Sequence, residues 1–402
     1  MSELTPVTGG ALPIRLEAVT KRYHGQERAA VDEITVEFPA GELVVLVGPS
    51  GCGKTTTMRM INRLIEPTAG RILIGDQDVV TVGGDELRRR IGYVNQANGL
   101  LPHFTVARNV GLVPGLLKWD KRRIAERVDE LLTLVGLDPA AYRDRHPRQL
   151  SGGQQQRVGV ARALAADPGV LLMDEPFSAV DPITRERLQT ELLRIQRTVR
   201  KTIVFVTHDI DEAIKLGDRI AIFGENGKIA QYGTPEEILS EPASPYVKSF
   251  IGAGASLKRL HLLTVADVRL GEWALARAGE PPEALRARLA DEPEHGTLLA
   301  LDADGRPRAW LYADDVETAD WERRGDPVGA LIASDTTLHD ALDAMLESSA
   351  GVAVVCGADG RYAGVVELET IMERVRVLRA EAQRRDRNAV TMLQAESQAV
   401  RS

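Results

Sequence analysis

Cysteine is almost missing from this chain, which has only Cys52 and Cys356 among 402 residues. So few thiols exclude a secreted, disulfide-stapled architecture and favour a reducing compartment. Long apolar runs are missing too. The longest, such as Leu43–Val47 and Val170–Met173, fall far short of the roughly 18 to 20 residues of a membrane-spanning helix, so no segment is expected to cross a bilayer. Residues Met1–Pro13 carry the acidic Glu3 and no basic stretch leading into an apolar one, which does not read as a signal peptide. Nor is there any excess of positive charge, with 50 Lys and Arg against 58 Asp and Glu. The imbalance is local: residues 258–402 hold 18 basic and 26 acidic side chains, and the remainder is neutral. A neutral front and an acidic back argue for two modules. Neither offers the basic surface of a duplex-DNA binder, so nucleic acid is not expected as a partner.

What is present is length enough for two or three domains with proper cores. Before residue 250, short β-branched runs alternate with longer helical patterns. Ile14–Val19, Leu43–Val47, Ile91–Val94, Val170–Met173, Thr202–Thr207 and Arg219–Phe223 read as strands, several of them apolar throughout, as strands covered on both faces are. Thr55–Leu64, Lys121–Val135, Gln154–Ala166 and Ile183–Arg200 read as helices, with Pro182 placed for a first turn. This is an α/β layout with a largely parallel sheet.

Beyond Ala255 the texture turns rich in Ala, Arg and Asp. Leu298–Arg306 followed by Ala309–Tyr312 recurs 55 residues later as Ala353–Arg361 followed by Gly364–Glu367. Each copy reads as strand, Asp-Gly turn, strand, then helix. Two unrelated hairpins are the alternative, since Asp-Gly turns between apolar runs are common. Trp273–Leu289 reads as helical, and Arg384–Ser402 as a loose polar tail.

Gly48-Pro-Ser-Gly-Cys-Gly-Lys-Thr55 fits the phosphate-binding pattern of Gly, four residues and Gly-Lys-Ser/Thr, between a strand and a helix. Its glycines let successive amides turn inward onto phosphate oxygens, and the helix start adds a positive dipole end. Lys54 supplies a charge to the β and γ phosphates, and Thr55 a hydroxyl to Mg²⁺. Cys52 occupies a variable position in this loop and needs no catalytic role. Val170–Met173 delivers Asp174 at a strand end, suited to hold Mg²⁺ through its water shell, with Glu175 placed to polarise the water that attacks a γ phosphate. A solvated strand end is the other reading of Asp174-Glu175 taken alone.

Leu150-Ser-Gly-Gly-Gln-Gln-Gln-Arg157 is similar to the signature loop of the ABC ATPases. The rest of that family's pattern follows in order: Tyr23 before the phosphate loop, Gln96 after the strand Ile91–Val94, Ser178-Ala-Val-Asp181 after Glu175, and His208 after Thr207. The resemblance implies a P-loop nucleotide-binding domain over residues 1–255, with a helical subdomain over about 96–165. It implies ATP and Mg²⁺ as ligands, with Gly48, Pro49, Ser50, Gly51, Cys52, Gly53, Lys54, Thr55 and Thr56 around the nucleotide and Tyr23 on its adenine. Thr55, Gln96 and Asp174 would face the metal, while Lys54, Gln96, Glu175 and His208 would serve hydrolysis. In this family Ser151, Gly152, Gly153 and Gln154 face the γ phosphate held by the other subunit, so two copies close head to tail, with Asp181 touching the opposite copy. Apart from that resemblance, Ser151 is equally an ordinary helix cap, Tyr23 a strand-end tyrosine and His208 a turn histidine.

The segment Gly99–Val106, Asn109–Pro114 and Leu117–Trp119, with the tail after Phe250, is similar to the ATPases of osmoprotectant importers, which take up glycine betaine, carnitine and choline. These act with separate membrane permeases and an extracytoplasmic solute-binding protein, at the cytoplasmic face of the membrane. Many carry paired cystathionine-β-synthase (CBS) type repeats, which the echo at 258–380 resembles, with copies over about 258–320 and 325–380. That resemblance implies an α+β regulatory domain that senses ionic strength or binds a nucleotide. The first copy departs from the pattern at Trp310 and Tyr312, and a packing domain without a ligand stays open. So does an importer of another solute, such as a polar amino acid. A chromosome-maintenance ATPase would place a long coiled coil between the two phosphate motifs, whereas Thr55 and Asp174 are 119 residues apart without sustained heptads.

Overall fold

The computed structural model describes residues 10–95, 99–178, 180–291, 295–318, 320–378 and 380. Their contacts form two compact units, the first running to Ile251 and the second from Gly252, with Leu239–Glu241 grouping with the second.

The first unit is built on strands β1 (Ile14–Lys21), β2 (Val31–Phe38), β3 (Leu43–Val47), β4 (Ala69–Ile74), β5 (Gln77–Asp78), β6 (Ile91–Val94), β7 (Val170–Asp174), β8 (Thr202–Thr207), β9 (Arg219–Phe223) and β10 (Ile229–Gly233). Six of them form a sheet in the order β10-β9-β3-β8-β7-β6. The four pairings from β9 to β6 are parallel, and β10 adds an antiparallel edge. Every residue of β3 and β8 is buried, as continuous apolar strands between two layers should be. A second sheet, β2-β1-β4-β5, is antiparallel throughout. The expectation of a largely parallel layout did not include it. Val31–Phe38 alternates apolar and charged residues, with Val31, Ile34 and Phe38 inside, and only pairing with β1 makes that pattern a strand.

Helices begin where local chemistry starts them. Asp120, Ser151, Asp181 and Asp209 each accept a backbone N–H from the first turn that follows. Short helices Val106–Val110, Leu112–Leu116 and Pro139–Tyr142, with the longer Lys121–Leu134 and Gly152–Leu164, lie between β6 and β7 and make up the helical portion of this unit.

The second unit contains β11 (Leu275–Arg277), β12 (Leu298–Leu301), β13 (Pro307–Leu311), β14 (Asp326–Pro327), β15 (Leu331–Ala333), β16 (Val352–Cys356) and β17 (Tyr362–Glu367). The two echoed segments adopt the same hairpin. Asp302 N bonds Arg306 O at 2.9 Å and Gly357 N bonds Arg361 O at 2.8 Å, with Gly305 and Gly360 at φ near 80° in each turn. The register slips at the same place, between Ala300 and Leu301 in one copy and Val355 and Cys356 in the other. Each hairpin is joined by a short parallel strand, β11 on β12 and β15 on β16. Helices Pro282–Asp291 and Leu338–Glu347 intervene between the parallel partners. The reading of Trp273–Leu289 as one helix is corrected here: Trp273 is buried, Leu275–Arg277 is a strand, and the helix starts only at Pro282. After the second hairpin residues 368–378 are helical, but after the first the chain makes only 3-10 turns at Ala313–Glu317 and Trp321–Arg323.

Trp310 is fully buried and meets Trp273 edge to face, with ring centroids 5.5 Å apart. Both pack with Leu299 and Leu301 of one hairpin and Val354 and Val365 of the other. Trp310→Ala should therefore cost about 3 to 5 kcal/mol, read in chemical denaturation as a lowered midpoint. Trp310→Phe should recover most of it, because the indole N–H has no hydrogen-bond partner among the described residues. Residues 381–402 lie outside the described residues, and with them the segment 384–402 read as a loose tail.

Candidate functional site

Because β3, β7 and β8 are parallel neighbours, their C-terminal ends reach one edge of the sheet, with Val47 opposite Thr207 and Asp174 opposite Val206. The loops starting at Gly48, Glu175 and His208 all leave from that edge, the usual ligand side of an open α/β sheet.

The Gly48–Thr55 loop leads directly into the helix Lys54–Ile61. Gly53, at φ 106°, sits so close to the neighbouring chain that a Cβ would lie 2.3 Å from the Ala30 carbonyl oxygen. Lys54 is buried, its Nζ donating to Gly48 O at 2.7 Å and Pro49 O at 2.9 Å, with Cys52 Sγ at 3.6 Å. The ammonium is thus held against the rim of the loop. Pro49 and Gly51 are partly or fully exposed, as are Ser50, Thr55 and Thr56, while Gly48, Cys52 and Gly53 are buried.

Thr55 Oγ1 donates to Asp174 Oδ1 at 3.0 Å, bringing together the two residues proposed from sequence as metal partners. Burial pushes the Asp174 carboxyl above its ordinary value and the nearby Glu175 adds to this, against the opposing pull of the Thr55 hydroxyl and Arg59. A partly buried carboxylate beside a hydroxyl is a hard-oxygen pair of the kind Mg²⁺ takes, usually keeping several waters. Gln96 lies outside the described residues.

Glu175 adopts φ 43°, the left-handed region, uncommon for a side chain of its size. Its N–H is tied to Val206 O at 3.0 Å, and its carbonyl accepts from the Ser178 hydroxyl at 3.0 Å. Such local strain, held in place by surrounding bonds, is found preferentially at functional sites. His208 Nδ1 lies 3.5 Å from Glu175 Oε1, with the imidazole largely exposed. Tyr23 follows β1, is 37% exposed and has Lys21 Nζ 5.4 Å from its ring centroid.

Ser151 caps the helix Gly152–Leu164 in a reciprocal box. Gln154 N donates to Ser151 Oγ at 3.3 Å, and Ser151 N to Gln154 Oε1 at 3.0 Å. Gln154 Nε2 donates to the Tyr142 hydroxyl at 3.1 Å. Asp181 likewise caps the helix Pro182–Val199, and the N–H of Thr184 at 3.0 Å holds its carboxyl below the usual range. The two helix starts are adjacent, since a Cβ on Gly153 would meet Thr184 Cγ2 at 2.9 Å, whereas one on Gly152 would meet nothing within 4 Å. Among the described residues, these bonds of Ser151, Gln154 and Asp181 are local and none reaches Lys54, Thr55 or Asp174. The site residues therefore form two groups, the edge-of-sheet cluster and this pair of exposed caps.

Sequence reasoning passed over three neighbours of the cluster. Tyr93 on β6 and Arg59 in the helix after the phosphate loop both act on the Asp174 carboxyl. Glu212 is buried on the helix Ile210–Leu216 behind His208, accepting from Gln189 Nε2 at 2.9 Å, with Thr207 as a second partner. Its signal was available as a carboxylate just before Ala213, Ile214 and Leu216, all of them buried on this helix. Burial raises the Glu212 carboxyl above 4.5. It holds its proton more tightly folded than unfolded, so its contribution is complete below pH 4.5 and fades as pH rises through the raised value. Glu212→Gln, which can still accept from Gln189, should lack that decline. Its melting temperature should gain on wild type between acidic pH and pH 8, as followed by calorimetry across pH.

Residues 31–178 match the family model for the ABC transporter. The chain is 42% identical over 365 residues, 90% of its length and 95% of the relative's, to the osmoprotectant import ATP-binding protein OsmV of Salmonella typhimurium. It is 43% identical over 90% of its length to the glycine betaine/carnitine/choline transport ATP-binding protein OpuCA of Bacillus subtilis, covering 95% of that protein. Among solved structures it is similar to CbiO1 from Clostridium perfringens, part of the ABC transporter complex CbiONQ, at 27% identity and TM-score 0.53, over 62% of this chain and 98% of that one. These relatives, alike over nearly their whole length, together with the matching family model, establish that the chain belongs to the ABC transporter ATPase family.

Proposed function

We propose that this protein is the ATP-hydrolysing subunit of an importer for quaternary amine osmoprotectants of the glycine betaine, carnitine and choline type. The observation that carries this reading is the extent of the likeness: OsmV and OpuCA match through the second unit as well as the motor. No helix among the described residues is long and apolar enough to cross a membrane, so the solute pathway belongs to separate permease subunits. The ATPase works peripherally at their cytoplasmic face, with a solute-binding protein outside.

In this reading Tyr23 stacks on adenine, the amides of Gly48–Thr55 and Thr56 cradle the phosphates, and Lys54 turns its ammonium to the β and γ oxygens. Thr55, Asp174 and Gln96 would hold Mg²⁺, which would neutralise charge on the phosphates. Glu175 takes the proton of the attacking water, while His208, 3.5 Å away, orients that water and the γ phosphate. Ser151, Gly152, Gly153 and Gln154 complete the site of a second copy across a head-to-tail homodimer, with Asp181 at the same interface. The local, exposed bonding of both caps supports this. ATP closes the pair, hydrolysis reopens it, and the helices between β6 and β7 pass the motion to the permease.

The second unit is read as a tandem CBS-like regulatory domain, supported by its two matching hairpins with parallel partner strands. It would answer ionic strength or a nucleotide. Uptake of labelled glycine betaine by cells with and without the gene tests the solute: loss of uptake is expected, and unchanged uptake of betaine, carnitine and choline would refute it. Transport that keeps the same response to osmolality after truncation at Ile251 would remove the regulatory role.

A further inference from the structure

Two of the chain's seven histidines meet inside the second unit. His261 lies on the 3-10 turn Arg259–Leu262, and His339 and Asp340 lie in the first turn of the helix Leu338–Glu347. The imidazoles stack with centroids 3.7 Å apart and planes 20° from parallel. One nitrogen from each ring and one Asp340 oxygen all lie within 4.8 Å of one another. Nδ1 of His339 is 3.7 Å from Asp340 Oδ1 and 3.9 Å from Asp343 Oδ2.

The main chain fixes this meeting. Leu338 N donates to Leu263 O at 2.8 Å, Val265 N to Thr336 O at 2.9 Å and Ala266 N to Ser334 O at 2.9 Å, while Thr264 and Thr337 form a β-bridge. Leu260 and Leu338, each next in sequence to one of the histidines, are fully buried in the same core. The donors therefore sit on two segments that cannot drift apart without breaking several backbone bonds.

Ligand chemistry favours a cation here, since two imidazole nitrogens and a carboxylate oxygen converge. Two nitrogens and an oxygen suit Zn²⁺, Co²⁺ or Ni²⁺ rather than the all-oxygen preference of Mg²⁺ or Ca²⁺. We propose that His261, His339 and Asp340 bind one Zn²⁺-type cation per chain, with Asp343 orienting the His339 ring, so that metal clasps the entry segment of this unit to the helix Leu338–Glu347. Because imidazole lone pairs lie in the ring plane, binding requires the two stacked rings to rotate about their soft terminal torsions until those lone pairs meet.

The test uses the full chain, without a polyhistidine tag and stripped by chelator. Calorimetric titration with ZnCl₂ should give one site per chain and a raised melting temperature, and Co²⁺ should give the intense visible bands of a low-coordinate nitrogen-oxygen site. His261→Ala and His339→Ala should each remove the binding, and Asp343→Asn should weaken it by about 10- to 100-fold. Metal-free melting of each variant shows whether it has folded, and the wild-type Co²⁺ spectrum decides the matter independently if one has not. Overturning results are no Zn²⁺ heat, binding that survives both histidine changes, a weak octahedral Co²⁺ spectrum, or a melting temperature that follows pH but not metal.

Discussion

Glu175→Gln should leave ATP bound and stop its turnover. Losing a general base costs roughly 10²- to 10⁴-fold in rate, which would show as near-abolished phosphate release. The substitution is nearly isosteric, so the φ of 43° at this position is no more strained for Gln than for Glu. The backbone bonds to Val206 and Ser178 do not involve the carboxylate at all. Nucleotide affinity and melting temperature should therefore stay close to wild type. If binding closes the proposed dimer and only hydrolysis reopens it, the variant should accumulate as an ATP-bound dimer in light scattering. Full hydrolysis by this variant would remove Glu175 from its role, and a strictly monomeric protein with ATP would remove the head-to-tail arrangement.

The second large effect separates two glycines. Gly53→Ala should lose both nucleotide binding and stability. A Cβ there would lie 2.3 Å from the Ala30 carbonyl at φ 106°, and a left-handed backbone alone costs a non-glycine residue about 1 to 2 kcal/mol. The backbone must shift, and the phosphate cradle shifts with it. Gly152→Val makes the opposite test. Space around Gly152 is open within the protomer and its φ is ordinary, so the fold and single-copy nucleotide binding should persist. On the proposed head-to-tail arrangement that space takes the partner's nucleotide, so turnover should fall. Fluorescent nucleotide binding and phosphate release separate the two outcomes; equal loss of binding in both variants would contradict the assignment of Gly152 to a shared interface.

Short-range chemistry was legible in the sequence. Leu43–Val47, Thr202–Thr207 and Arg219–Phe223 are strands over the spans expected, because a fully buried strand needs an unbroken apolar run and little else. The helices begin within one or two residues of expectation, because Ser151 and Asp181 start them by bonding the next turn. The Gly48–Thr55 pattern is legible for the same reason: its glycines, Lys54 and Thr55 lie within eight consecutive residues. The 55-residue echo of the hairpins was visible too, being a repeated turn chemistry. Tertiary structure alone decided the rest. The antiparallel sheet of β1, β2, β4 and β5 depends on pairing between distant segments, and partly polar strands such as Val31–Phe38 gain their stability only from that pairing. Leu275–Arg277 is too short to declare itself until Leu299–Leu301 lies beside it. The bond from Glu212 to Gln189 and the stack of His261 on His339 are through-space meetings of groups 23 and 78 residues apart. A sequence lists such side chains without saying which will touch, because burial and backbone pairing, not local preference, bring them within reach.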